Sequence, residues 1–266
     1  MPVADVADRW HRERVTSRSR LLLTFVPVVV TVVLAAVVGG LIVVQDQRQN
    51  EQVAAADRAA EDFLSDVGMF RGDVARELGK VEASDPATLR EALVEAVAEP
   101  PRLDDAPDIG VEQSETYAMA RETERTFLEP YERLGRELRR AEIALTFVEA
   151  ARSALGLRAT DYVGFGPLGD SAAVRSRLVP AFVQARDTFA AVRVPRGQSG
   201  LAAAVRAALQ HVIDEATTLA ASIDANRSFS FSYAEEFSTA LAAVDDYATT
   251  VQGDVTEAVN ALSDQA

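Results

Sequence analysis

Leu21–Val44 runs 24 positions without one ionisable side chain. A stretch of that kind leaves the chain little structural choice. In a lipid environment every backbone N–H and C=O must be satisfied within the segment, which makes it a helix. A bilayer core about 30 Å thick takes roughly 20 helical residues, and this run would reach about 36 Å at 1.5 Å per residue. Pro27 falls in the first two turns, where a missing donor costs least. Arg9, Arg12, Arg14, Arg18 and Arg20 crowd the N-terminal flank, whereas only Arg48 and Arg58 lie near the other end. Basic residues are retained on the cytoplasmic side, so residues 1–20 are expected inside and the rest outside. A cleaved signal peptide is the rival reading. Signal h-regions are typically about 7–15 residues long, and the small-residue site Ala54-Ala55-Ala56 lies well past the apolar run. An uncleaved signal anchor is therefore expected. Within it, Ala35/Gly39 and Ala36/Gly40 are small residues four apart, a spacing that lets transmembrane helices pack closely. Ordinary small-residue usage in membrane helices explains the same pairs.

The chain carries a formal charge of −14. Residues 1–44 hold five Arg against Asp5, Asp8 and Glu13, a net +2, so the remainder carries about −16. Such an acidic domain argues against nucleic acid as a partner and against lying flat on anionic lipid. With no cysteine, disulfides, thiolate metal sites and thiol redox chemistry are excluded, and an apolar core must hold the domain together. The 26 Arg against the single Lys80, with abundant Ala and Val, suggest a GC-rich bacterial genome.

Beyond the apolar run the pattern is helical almost throughout. Leu64, Val67, Val74, Leu78 and Val81 follow steps of three, four and seven, with Phe63 and Phe70 alongside, one face of a helix that continues the anchor outward as a stalk. Asp85-Pro86 is an N-cap followed by proline at the first helical position, and predicts a short helix to about Ala98. Pro100 and Pro101 end it and open a polar loop, 102–113. A long helix is expected from Ser114 through the seam Leu134, Leu138, Ala141, Leu145, Val148 and Leu155, split or kinked at Pro130 and with Arg152 breaking the rhythm. After a loop from Gly156 to about Asp170, a helix from Ala172 to Val192 carries Val174, Leu178, Ala181, Ala185, Phe189 and Val192, with Pro180 as a second kink. Two regular seams follow: Val205, Leu209, Val212, Ala216, Leu219 and Ile223, then Phe237, Leu241, Val244, Ala248, Val251, Val255, Ala258 and Leu262. A 3.5-residue repeat held this long implies neighbours crossing at roughly 20°. The expected fold is all-α: one transmembrane helix, then an extracytoplasmic antiparallel bundle of about four to six long helices. The expected organisation is a basic tail over 1–20, the anchor over 21–44, a stalk over 45–83 and an acidic bundle over 84–266.

Several patterns resemble chemical sites, and each has a structural explanation. Gly164-Phe-Gly-Pro-Leu-Gly169 matches G-x-G-x-x-G, which cradles a pyrophosphate only between a strand and a helix. No strand pattern precedes it, so turn geometry explains the glycines. Tyr162 and Phe165 give this loop two rings that serve either as a contact tip or as a fold-back onto the bundle end. His211, Asp214 and Glu215 share a helix face, yet a metal needs further ligands, and the other histidine, His11, lies on the far side of the anchor. Glu235/Glu236 and Asp245/Asp246 are adjacent pairs that diverge around a helix and form no acid–base dyad. There is no G-x-S-x-G nucleophile elbow. Asn226-Arg227-Ser228 fits a glycosylation sequon that bacterial composition makes incidental.

Phe229, Phe231, Tyr233 and Phe237 place four rings within nine residues, the strongest candidate for a partner or ligand surface. If the segment is extended, its alternation with serine is expected to turn some rings outward. Plugging of the core at a bundle end is the expected role, and a partner or ligand surface the alternative.

No constellation specifies catalysis and no cofactor is indicated, so the chain is read as non-catalytic. The expected function is a single-pass, membrane-anchored envelope protein whose bundle docks to or scaffolds another membrane or envelope protein, possibly a second copy of itself. An extracytoplasmic ligand-binding or sensory bundle is the alternative. A tail of about 20 residues holds no signalling domain, so such a sensor would act through a partner.

Overall fold

The computed structural model describes residues 46–82, 84–164 and 170–263, and all regular secondary structure among them is helical. The expected anchor Leu21–Val44, with Ala35, Ala36, Gly39 and Gly40, lies outside the described residues, as do the 1–20 tail and Phe165. No helix among the described residues is long and apolar enough to cross a membrane.

Helix α1 covers residues 46–78. It is followed by α2 (Pro86–Ala96), α3 (Asp108–Gln113), α4 (Glu115–Thr126), α5 (Glu129–Leu155) and α6 (Thr160–Val163). A π-helical turn (Val174–Leu178) then leads into α7 (Val179–Ala190), and α8 (Ser199–Asp224) and α9 (Ala234–Ser263) complete the order. The described residues form two compact units. One takes those up to Ser65 together with Arg102–Arg125, and the other takes Asp66–Pro101 together with Thr126 onward.

The first unit uses the early part of α1 with α3 and α4. The polar loop expected over 102–113 folds in its second half into α3. Gly110 explains why. An added Cβ there would lie 2.4 Å from the Gln52 carbonyl oxygen and 2.9 Å from Ala56 Cβ, so only a bare α-carbon lets α3 approach α1 this closely. Ser114 then caps α4. Its hydroxyl accepts from the Tyr117 N–H at 2.8 Å and donates to Asp57 Oδ1 at 2.5 Å. The loop before α3 is tied to α4 twice: Tyr117 Oη donates to the Asp104 carbonyl at 3.0 Å, and the Leu103 N–H donates to Glu124 at 3.0 Å.

The second unit is organised by α5 and α9, its most extensive helix pair. They run antiparallel, with Arg152 opposite Asp245 and Ala141 among the same core residues as Val251 and Val255. The later part of α5 and the early part of α9 join α7 and α8 around Phe147, Phe182, Leu178, Leu209, Val212 and Val244. The early part of α5 and the later part of α9 pack with α2 and the end of α1 around Leu78, Leu89, Leu134, Leu138 and Val255. Every residue of the α8 seam from Val205 to Leu219 is buried, as the heptad pattern requires.

The local signals act largely where expected. Asp85 caps α2, accepting from the Thr88 N–H at 3.1 Å with Pro86 at the first helical position. The long helix splits after Thr126, and Pro130 enters α5 in its first turn, where its missing N–H costs nothing. Pro180 does not break its helix. Instead the preceding turn widens: the Val179 N–H donates to the Val174 carbonyl five residues back. That register gives a carbonyl a donor just ahead of the proline that supplies none. The loop expected between Gly156 and Asp170 contains the short helix α6.

Candidate functional site

The four rings singled out near residue 230 belong to the core at one end of the second unit. Residues 227–233 have no regular secondary structure, and α9 begins directly after them. The alternation sorts rings and serines to opposite sides of the segment. Phe229, Phe231 and Tyr233 are half-buried against the core, while Ser228, Ser230 and Ser232 are exposed. A period of two places residues 229, 231 and 233 on one side, so the serines take the solvent side. Phe237, one turn into α9, is buried.

Phe182 is the centre of this cluster and is fully buried. Its ring lies 6.0 Å from Phe237, 6.4 Å from Tyr233 and 6.3 Å from Tyr162, centroid to centroid. Tyr233 meets Phe237 edge to face at 5.1 Å and Phe231 at 5.3 Å. Edge-to-face and tilted packing sets the positive ring edge against a negative face. Tyr162 thus folds onto the bundle. Sequence reasoning placed Ala181 in the α7 seam and passed over Phe182. The signal was present, because Leu178, Phe182, Ala185 and Phe189 keep a 4-3-4 spacing.

The candidate chemical groups are drawn into structural pairs. His211 does not turn to Asp214 or Glu215; its Nε2 lies 3.4 Å from Glu236 Oε1 on α9. Among the described residues no group of three or more His, Asp or Glu is placed to hold a metal ion. Glu235 and Glu236 lie in the first turn of α9. Asp245 pairs with Arg152 at 2.7 Å, which accounts for the arginine that interrupts the α5 seam. Gly164 follows helix α6 with a positive φ of 77°, so the glycine motif begins after a helix rather than a strand. Asn226 of the sequon sits at φ 53° and closes α8, with the Arg227 N–H donating to the Ser222 carbonyl at 2.8 Å.

Asp224, in the last turn of α8, accepts from the buried Ser171 hydroxyl at 2.5 Å and from Arg175. These hydrogen bonds, that from Ser171 first, hold its carboxyl below the usual carboxylate range. They fasten the start of the α7 region to the end of α8. Between α2 and α5, Arg90 donates to Glu142 at 2.7 Å, and that bond keeps the guanidinium's pKa raised.

The second unit carries two concave surfaces of note among its described residues. A pocket of about 370 Å³ lies between α5 and α7, lined by Ser153, Leu157, Tyr162, Gln184 and Phe189 among others. The larger, about 1120 Å³, is an open groove along α5 and α9, bounded by the turn between α7 and α8. Its floor includes Ala141, Ala144, Val251, Val255 and Ala258, and its rim includes Arg193, Arg196, Asp254 and Glu257. No sequence signal marked it, because its residues come from three separate stretches of chain.

The described residues thus define a class of protein, an all-helical bundle built on two long antiparallel helices. No protein-family model matches the chain, and neither does any curated protein or solved structure.

Proposed function

We propose that this chain is a non-catalytic, membrane-anchored protein whose helical bundle, held outside the cytoplasm, docks to another membrane or envelope protein. The observation that carries the reading is the form of the groove along α5 and α9. It follows α9 from Tyr247 to Ala261, about 21 Å at 1.5 Å per residue, and lies open alongside α5. Elongated grooves between helices suit other helices, whereas small molecules favour enclosed pockets that bury most of their surface. The anchor rests on the apolar run and its arginine flank. In its support, α1 is already helical at residue 46, directly after that run.

Purification of the full chain from native membranes in mild detergent tests the reading. A protein recovered in stoichiometric amount supports docking; recovery of a bound small molecule and no protein overturns it. Protease added to intact protoplasts tests the topology. The domain beyond the anchor should be digested, and mature chains should begin at or near Met1.

A ligand-binding or sensory bundle is the second reading. The 370 Å³ pocket between α5 and α7 favours it, since its alanine and aromatic walls carry Ser153, Gln184 and Thr188 as polar contacts.

A further inference from the structure

The pocket between α5 and α7 is a slot whose two walls are each built on a pair of alanines. Ala150, Ser153, Ala154 and Leu157 line it from α5 and the residues just after it. Ala181, Gln184, Ala185 and Thr188 line it from α7. Both sets step by three, one and three, the spacing that runs along one side of a helix. Alanines four apart on both walls fill little of the space between the helices, so about 370 Å³ stays open. Only Ala154 and Phe189 of its lining are buried; the rest is half-buried or exposed and can be reached from solvent.

The slot carries no charge. None of its lining residues is Asp, Glu, Lys, Arg or His, in a chain that is 26% charged. Charged neighbours are drawn to other helices. Arg152, beside Ser153, pairs with Asp245 of α9 at 2.7 Å, and Arg186, beside Ala185, donates to Gln210 of α8 at 2.6 Å. An ionised ligand would give up hydration here without meeting a counter-charge.

Polar groups are present nonetheless, and they lack partners. The side chains of Ser153, Tyr162, Gln184 and Thr188 make no hydrogen bond to a described residue. Neighbouring helical hydroxyls close on their own backbone. Thr146 of α5 donates to the Glu142 carbonyl at 2.9 Å, and Ser176 of the π-helical turn donates to the Ala172 carbonyl at 2.7 Å. Ser153 and Thr188 do not, which leaves their hydroxyls free to bond a molecule in the slot.

We propose that the slot between α5 and α7 binds an uncharged, mainly apolar small molecule that presents hydrogen-bonding groups to Ser153, Gln184 and Thr188. The inference rests on the ligand-binding reading given second above, and names its site and the chemistry of its ligand. Small-molecule sites of about 300–1,000 Å³ combine apolar and aromatic walls with a few polar groups that fix orientation. Phe189 and Tyr162 supply the aromatic part. The slot shares no lining residue with the groove along α5 and α9, so a ligand here leaves docking there unobstructed.

Benzophenone is the probe, an uncharged ketone that bonds covalently to nearby C–H groups under near-ultraviolet light. Its anionic counterpart is 4-benzoylbenzoate. Each is irradiated with the full chain in an uncharged detergent, and adducts are located by peptide mass spectrometry. Benzophenone is expected to label residues 150–157 and 181–189 roughly tenfold more than 4-benzoylbenzoate does, each normalised to its labelling of the other helices. Gln184→Arg is expected to reverse that preference. Thr188→Trp, at an exposed position, is expected to abolish the labelling while thermal unfolding is unchanged. Equal labelling by both probes, labelling by neither, indifference to Gln184→Arg or persistence in Thr188→Trp overturns the inference.

Organic extracts of the full chain purified from native membranes separate the inference from its premise, with Thr188→Trp purified in parallel. An uncharged molecule recovered from the unsubstituted chain and lost from the variant supports the inference. An ionised molecule lost from the variant overturns the ligand's chemistry and leaves ligand binding intact. A molecule recovered equally from both overturns the site alone. Recovery of none from either overturns the ligand-binding reading itself.

Discussion

The buried Ala159 N–H donates to Tyr233 Oη at 2.9 Å, across 74 positions of sequence. One bond thereby ties the chain after α5 to the residue that precedes α9. It also orients the Tyr233 ring for its contacts with Phe182 and Phe237. The ring-bearing segment thereby packs against the core.

Tyr233→Phe removes the acceptor and keeps the ring. A buried N–H left without a partner costs about 1–3 kcal/mol, and that loss is expected in urea unfolding of the full chain. Phe182→Ala should cost about 3–5 kcal/mol, because it removes a fully buried ring and opens a cavity among three others. If Phe182→Ala costs no more than a surface substitution, the cluster is not part of the core.

Two glycines are expected to respond in opposite directions. Gly110→Ala places a methyl 2.4 Å from the Gln52 carbonyl, which is backbone and cannot swing aside. Amide exchange should speed up in α3 and in the facing part of α1. Gly68 is exposed in α1 with nothing within 4 Å of an added Cβ. Gly68→Ala should stabilise by about 0.5–1 kcal/mol, the helix-interior penalty of glycine.

Acid should loosen two attachments. The carboxyls of Asp85 and Asp224 are held below their ordinary values, chiefly by Thr88 and by Ser171 respectively. A depressed folded-state pKa contributes stability that is present above the unfolded value of 3.8 and is lost as pH falls through the lower folded value. The thermal midpoint should therefore drop below about pH 4, in a window where both groups take up protons. Asp224→Asn should lower the midpoint at pH 6 and narrow its gap from the unsubstituted chain at pH 3. An equal gap at both values would show that the clasp does not titrate.

Asn226 closes α8 in the left-handed region, at φ 53°. Asn226→Gly should be nearly neutral in thermal unfolding. Asn226→Val should cost about 1–2 kcal/mol, because a β-branched side chain collides with its own backbone there. Similar midpoints for the two variants would contradict the capping role.

Much of the helical framework is legible in the sequence. Asp85 with Pro86 starts α2, the prolines at 100 and 101 follow its end, and Pro130 sits in the first turn of α5 after a split. The α8 and α9 seams are the buried ones, with Ile223, Leu241, Ala258 and Leu262 half-buried at their margins. The candidate site was less legible. The four rings at 229, 231, 233 and 237 are visible in the sequence, but their hub, Phe182, lies 47 residues before the first of them and no local pattern joins the two. The wide groove had no signature at all.

Periodicity, caps and proline act over a few neighbouring residues, so the sequence alone determined where helices run and which stripe of each is apolar. Which stripe meets which is a matter of residues far apart in the chain. Arg152 finds Asp245 across 93 positions, and Gly110 fits against Gln52 because two backbones happen to cross there. The groove exists only because α7 and α8 stop short of α5 and α9. Relative helix length, set by how four separate segments stack, was decided by the tertiary structure, since no local interaction compares one helix with another.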